Sequence, residues 1–208
     1  MVDCLDIEII DATQDPHYEK LLYRCLAPMP YRKYRTRIEY LQEAIAKGFR
    51  KKILLLNDKM VGQIEYAPVE ASGYPILGEN MVVLHCLWVL RIAQGHRLGQ
   101  QLIDAMIHDH QDTKAFVTIG LTNHWSPWLK KEHMEFYDFI SIASIKVFHK
   151  TKHVGEGFTI HLMWRPTPSA DKRPTWNPTQ LLEGVTFCMA HPLYHPQHQK
   201  MKQILQPC

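Results

Sequence analysis

The hydrophobic pattern of the chain is clearest between residues 81 and 107. Residues 81–90 (MVVLHCLWVL) form an apolar run rich in β-formers, which predicts a buried strand. QGHRLGQ follows at 94–100. Leu98, Leu102 and Met106 then recur at i, i+4 and i+8, with Ile103 and Ile107 beside them, drawing one apolar helix face. A strand, a short turn and a helix are therefore expected here.

The same reading covers the rest of the chain. Alternation over 5–11 (LDIEIID) predicts a first strand, and Asp15-Pro16 opens a helix over 18–26. Pro28 and Pro30 break that helix into a loop over 27–34. Residues 35–49 then read as a second helix, with Ile38, Leu41, Ala44 and Ile45 on one side and Gly48 near its end. Residues 52–57 and 61–66 are strands joined by a hairpin-type turn at Asn57-Asp58-Lys59. A Gly/Pro-rich loop over 73–78 leads into the long strand. Beyond its helix, 115–121 (AFVTIGL) is a strand, and Ser126-Pro127 opens a helix running through Met134. Residues 139–148 and 158–164 supply two last strands. The order β-α-α-β-β-β-α-β-α-β-β defines an α/β fold.

Composition narrows the classes. With 208 residues, 46% hydrophobic and 22% charged, the chain is an ordinary soluble globular protein, long enough for one well-buried core and an extension. A net charge of +3 and a pI near 8.5 are too mild to make nucleic acid the main partner. No apolar run approaches the ~20 residues of a membrane-spanning helix. Asp3 and Asp6 flank the first apolar residues, against a secretion signal. Cysteines at 4, 25, 86, 188 and 208 give neither a C-x-x-C pair nor a disulfide framework, so a reduced cytoplasmic compartment is expected.

Gly95 and Gly99 at a helix start leave backbone N–H groups open. Together with the macrodipole they suit an anion, most often phosphate. The patterns G-x-G-x-x-G and G-x-x-x-x-G-K-[ST] are both absent, which removes the dinucleotide and P-loop readings. QGHRLG at 94–99 instead resembles the acyl-CoA signature of the GNAT superfamily of N-acyltransferases, [QR]-x-x-G-x-[GA]. Gln94 and Gly99 fill its first and last positions, Gly95 follows Gln94 as it often does there, and Arg97 replaces the middle glycine.

The resemblance spans residues 1–165, with 166–208 as a Pro/His-rich extension. It implies a mixed, mostly antiparallel sheet of about seven strands flanked by about four helices. A splay between the strands at 81–90 and 115–121 would admit the pantetheine arm. It further implies acetyl-CoA as donor and a small-molecule or peptide amine as acceptor. The backbone of Leu87, Trp88 and Val89 matches the strand end that pairs with the pantetheine amides. Gln94 and the amides of Gly95, His96, Arg97, Leu98, Gly99 and Gln100 match the pyrophosphate loop. Asn123 stands where family members often place an asparagine against the cofactor, and a turn-forming role fits it equally.

Transfer from a thioester to an amine needs a base for the amine proton and gains from an acid near the thiolate. The family often uses a glutamate on the fourth strand and a tyrosine in the last helix. Glu79, at the strand's start, and His85, inside it, are the candidate bases, although a lone strand histidine is more often a core residue. Alternation places Cys86 on the opposite face, with no histidine–carboxylate pair to activate it. The family pattern Y-x-x-x-G-F aligns on 131–136 (KEHMEF), with Lys131 at the tyrosine and Glu135 at the glycine. Tyr137 and Tyr66 are phenols outside that alignment. Acceptor selection in this fold falls to the loop at 27–34, where Tyr31 and Tyr34 interleave with Arg32, Lys33 and Arg35.

In the extension, Cys188, His191, His195 and His198 have a spacing open to a transition metal. Their order matches no standard finger, and Pro192 and Pro196 break a helical face for them. No metal is assigned, and the stretch reads as a His-rich surface segment. Residues 184–190 are expected as a strand on a sheet edge or against a neighbouring subunit, leaving a homodimer open, with a helix near 197–205. Two other readings stand beside the transferase. One is a non-catalytic acyl-CoA sensor, suggested by Arg97, Lys131 and the missing strand glutamate. The other is a metal- or partner-binding protein acting through the tail.

Overall fold

The computed structural model describes residues 6–24, 35–125, 128–150, 156–183, 185 and 205–207. The strands are β1 (Ile7–Asp11), β2 (Arg50–Leu56), β3 (Lys59–Pro68), β4 (Ile76–Leu77), β5 (Met81–Val89), β6 (Ala115–Thr122), β7 (Ile140–His149), β8 (Gly157–Pro166), β9 (Thr175–Trp176) and β10 (Leu205–Pro207). Between them lie α1 (Glu19–Leu22), α2 (Arg35–Ala46), α3 (Leu98–Asp109), α4 (Lys131–Phe136) and α5 (Pro178–Leu181). Eight strands form one sheet in the order β1-β2-β3-β5-β6-β8-β7-β10, and β4 pairs with β9. Every ladder of the main sheet is antiparallel except β5–β6. The expected mixed, mostly antiparallel α/β architecture is the one observed, with β10 as an eighth strand.

Local chemistry explains the elements. Asn57 and Asp58 take left-handed φ values of 49° and 61°, the pair needed by a tight β2–β3 hairpin turn. α2 ends three residues earlier than expected, at Ala46. Gly48 turns left-handed at φ 101°, Phe49 N–H donates to Ala44 C=O at 2.8 Å, and Phe49 is buried beyond the helix. The first helix is also shorter than expected: Asp15 caps a 3-10 turn at Pro16–Tyr18, followed by one turn of α1. α3 buries Leu98, Leu102, Ile103 and Met106, the stripe read from the sequence.

Two features shape the middle of the sheet. β5 carries a bulge: Glu65 pairs with Cys86 and Tyr66 with Leu84, so His85 is the extra residue. Cys86 therefore does not fall on the face opposite His85. Its Sγ lies 3.5 Å from the Gln63 amide, beneath α1, while the His85 ring stacks on Phe49, beneath α2. Second, β5 and β6 pair only through Met81–Ala115, Val82–Phe116 and Val83–Val117 before they part.

α4 starts later than expected. Leu129 has a φ of 42° and Lys130 is extended, because this segment runs beside β6: Leu121 N–H donates to Leu129 C=O at 2.8 Å. The helix begins at Lys131, where it meets Gly120. A β-carbon at Gly120 would lie 3.1 Å from Lys131 Cα, so the bare glycine lets α4 approach the sheet.

Beyond residue 166, Asn177 caps α5, and Leu181, Leu182, Val185 and Leu205 are buried in the main core. Leu205 belongs to β10 on the β7 edge rather than to a helix. The strand expected over 184–190 lies outside the described residues except for Val185, which is in no strand.

Candidate functional site

Where β5 leaves β6, a cavity of about 710 Å³ opens, within the size range of small-molecule pockets. The last residues of β5, Leu87, Trp88 and Val89, form one wall. The turn through Gln94, Gly95 and Arg97 and the first residues of α3, Leu98 and Gly99, form the second. Leu129, Lys130, His133, Met134 and Tyr137 close it.

β3 pairs with β5 on one side only at this level. Gly62, Gln63 and Ile64 face Val89, Trp88 and Leu87, and no described strand pairs with these three residues on the other side. Their backbone N–H and C=O groups on that side can meet a ligand carrying amides. At the turn, Gly95 has a φ of 91° and Arg97 takes the left-handed conformation at φ 54°, ψ 25°. The first intrahelical bond is Gln101 N–H to Arg97 C=O at 3.2 Å, so the amides of Leu98, Gly99 and Gln100 precede any intrahelical acceptor. Arg91, Arg97 and Lys130 add cationic groups to the lining, which contains no Asp or Glu. The arrangement suits a long polyanion with a peptide-like arm.

Most of the sequence-predicted binding residues converge here: Leu87, Trp88, Val89, Gln94, Gly95, Arg97, Leu98 and Gly99 all line the cavity. His96, Gln100 and Asn123 do not. Gln100 is occupied with Asp104 on the outer face of α3 at 2.8 Å. Asn123 is exposed at φ 60°, the conformation of a turn former.

The candidate bases lie elsewhere. Glu79 is exposed before the start of β5; the eight residues to Leu87 span about 26 Å of extended chain, which removes it from the cavity. His85 is fully buried, with Nε2 2.9 Å from Ser72 C=O and its ring stacked on Phe49 at 5.8 Å and edge-on to Tyr74 at 5.0 Å. A carbonyl can only accept, so Nε2 carries the proton and Nδ1 is the basic nitrogen.

α4 corrects the alignment of the tyrosine pattern. The residue with left-handed φ is Asp138, at 63°, and the buried phenylalanine after it is Phe139. Glycine and phenylalanine of Y-x-x-x-G-F therefore fall on Asp138 and Phe139, and the tyrosine falls on Met134, not Lys131. Lys131 instead pairs with Glu135 on the outer face of the helix. His133 and Tyr137 stand four residues apart on one side of α4, with Lys130 at its N-cap; with the helix expected to end at Met134, Tyr137 falls outside it. Burial pushes the Tyr137 phenol up from its ordinary value.

Among the described residues no group of His, Cys, Asp and Glu could hold a metal, and no helix is long and apolar enough to cross a membrane. Cys188, His191, His195 and His198 lie outside the described residues.

A model of the acetyltransferase (GNAT) family matches residues 19–131. No curated protein matches the chain. Among solved structures, a GNAT-family acetyltransferase from Desulfovibrio desulfuricans is 16% identical, with a TM-score of 0.54 over 77% of this chain and 99% of that one. The Escherichia coli ribosomal-protein alanine N-acetyltransferase is 13% identical, with a TM-score of 0.51 over 82% of this chain and 97% of that one. An Arabidopsis thaliana protein in complex with the bisubstrate analogue CoA-Ac-MVNAL is 15% identical, with a TM-score of 0.50 over 78% of this chain and 99% of that one. At these identities the likeness is one of fold.

Proposed function

The chain belongs to the acetyltransferase (GNAT) family, and from that premise we propose that it transfers an acetyl group from acetyl-CoA to a primary amine by direct attack. The observation that carries this reading is the cavity. It joins one-sided β5 backbone at Leu87, Trp88 and Val89 to an open helix start surrounded by Arg91, Arg97 and Lys130. When bound, acetyl-CoA supplies an acetyl thioester, activated for transfer to nitrogen. The backbone of Leu87–Val89 would hold the amide arm, and the amides of Gly95, Arg97, Leu98 and Gly99 with the Arg97 guanidinium would hold the phosphates.

In the transfer, the amine nitrogen bonds to the acetyl carbon, the carbon–sulfur bond breaks, and the amine loses its proton. The sulfur leaves as a thiolate. His85 is the proposed base, through water from Nδ1. It sits on the face of β5 turned toward α2, across the strand from the cavity, the side left for an acceptor. Glu79 is dropped. Met134, in place of the family tyrosine, offers no proton to the thiolate. A CoA thiolate is a good leaving group, so this slows the transfer without stopping it.

That same Met134, with Arg97 for the middle glycine, favours a second reading, a CoA sensor that binds without chemistry. Calorimetric titration with acetyl-CoA, followed by thiol release across a panel of peptide and small-molecule amines, separates the two. Micromolar binding with thiol release, abolished by His85→Gln, is expected. Binding without release supports the sensor, and no binding refutes both.

A further inference from the structure

Gly99 lies directly beneath the phenol of Tyr137. A β-carbon placed on Gly99 would collide with the Tyr137 hydroxyl oxygen, whereas the ring carbon bearing that hydroxyl would stay 3.4 Å away. The phenol thus reaches the first turn of α3, within the cavity. Its hydroxyl makes no hydrogen bond to any described residue, and burial is the one cause of its raised pKa. The hydroxyl is open to the cavity, so a ligand entering there can take it up as a partner.

The backbone beside it is that of Gly99, in the first turn of α3, where the amides have no intrahelical acceptor. Those are donors, as is the protonated phenol. Donors gathered at a helix start among cations suit one anionic acceptor from outside. We propose that the Tyr137 hydroxyl is an added donor to the diphosphate of the acyl donor, so that the protein selects a CoA thioester over a thioester on a bare pantetheine arm.

This rests on the proposed function, and it is distinct from protonating the thiolate, whose usual position holds Met134. It also gives the last glycine of QGHRLG a specific purpose in this chain. Gly99 is small to make room for the hydroxyl of Tyr137. With its pKa raised, the phenol remains a donor throughout the neutral range.

The test titrates the wild type and Tyr137→Phe with acetyl-CoA and with S-acetylpantetheine, which keeps the thioester and the amide arm but lacks the diphosphate. The expected result is a loss of about ten-fold or more for acetyl-CoA, the effect of one hydrogen bond to a charged group, with S-acetylpantetheine unchanged. Equal loss on both compounds, or none on either, overturns the role. A wild type that binds neither overturns the cofactor reading and this role with it.

A ligand-free double-mutant cycle checks the geometry separately. Gly99→Ala should lower the melting temperature of the wild type, but not of Tyr137→Phe, because only the hydroxyl blocks the new methyl group. Additive effects would place the hydroxyl away from Gly99 and overturn the proposal. The two arms distinguish a failed cofactor reading, seen in the titration alone, from a misplaced phenol, seen in the cycle.

Discussion

Lys51→Met should be among the most damaging single substitutions outside the hydrophobic core. Lys51 on β2 and Glu65 on β3 face each other in register, Nζ to Oε1 is 3.1 Å, and both side chains are fully buried. Nζ also donates to the carbonyls of Leu22, at 3.5 Å, and Arg24. The Gln63 amide reaches Glu65 Oε1 at 3.4 Å. Removing the lysine takes away the cation 3.1 Å from a buried carboxylate, a change that costs about 3–5 kcal/mol. Typical total stabilities are about 5–15 kcal/mol. At about 2–4 °C per kcal/mol for a chain of this size, the melting temperature should fall by about 6–20 °C. Urea unfolding at neutral pH, with m-values compared, measures the free energy directly. The double variant Lys51→Met/Glu65→Leu should recover most of the loss, since both charges of the pair are then removed together. A single-variant loss below about 1 kcal/mol, as for an exposed pair, or a double variant as damaged as the single, would refute the reasoning.

Three further outcomes follow from the same geometry. Asp109 is pushed up by burial, but hydrogen bonds from Lys52 and Tyr66 and the Lys52 charge outweigh this and hold it below its ordinary 3.8. Its contribution to stability is therefore complete above about pH 4 and lost as pH falls through the depressed value; the urea midpoint should drop less on acidification in Asp109→Asn than in the wild type. Gly120→Val should destabilise by about 1–3 kcal/mol, because its β-carbon would meet Met163 Cγ at 2.9 Å and the α4 backbone at 3.1 Å; thermal melting reads this. Arg97→Gly suits the left-handed φ of 54° and should keep stability within about 1 kcal/mol. Acetyl-CoA binding by that variant should weaken and lose part of its salt dependence, as titrations at two ionic strengths would reveal.

What was legible in the sequence had a period behind it. The apolar run of β5, the stripe of α3 and the glycine turn between them located most of the cavity before any coordinate. Features decided by tertiary contact were not legible. Lys51 falls just before the strand expected at 52–57 and Glu65 looks like the solvated half of an alternating one, and the helical layer over β2 and β3 buries them. The bulge at His85 leaves no mark in an unbroken apolar run, so alternation misplaced Cys86. Ser126-Pro127 resembles a helix start, yet Leu129 turns left-handed and Lys130 runs extended beside β6, which shifted the tyrosine pattern and concealed Tyr137. Leu205 reads as helical from its neighbours and is instead held by the edge of β7.

The short β5–β6 ladder has a mechanical consequence. Among the described residues, the ladder joining β1, β2, β3 and β5 to β6, β8, β7 and β10 is three pairs long, with the Thr118 hydroxyl donating to Leu84 C=O just beyond it at 2.7 Å. α3 packs on β3 and β5, and α4 on β6, β7 and β8, so each side of that seam has its own helix. Amide hydrogen exchange should therefore resolve two cooperative units with separate opening free energies, meeting at Val83 and Val117. A molecule lying along the seam would bind both units at once and merge their protection into one.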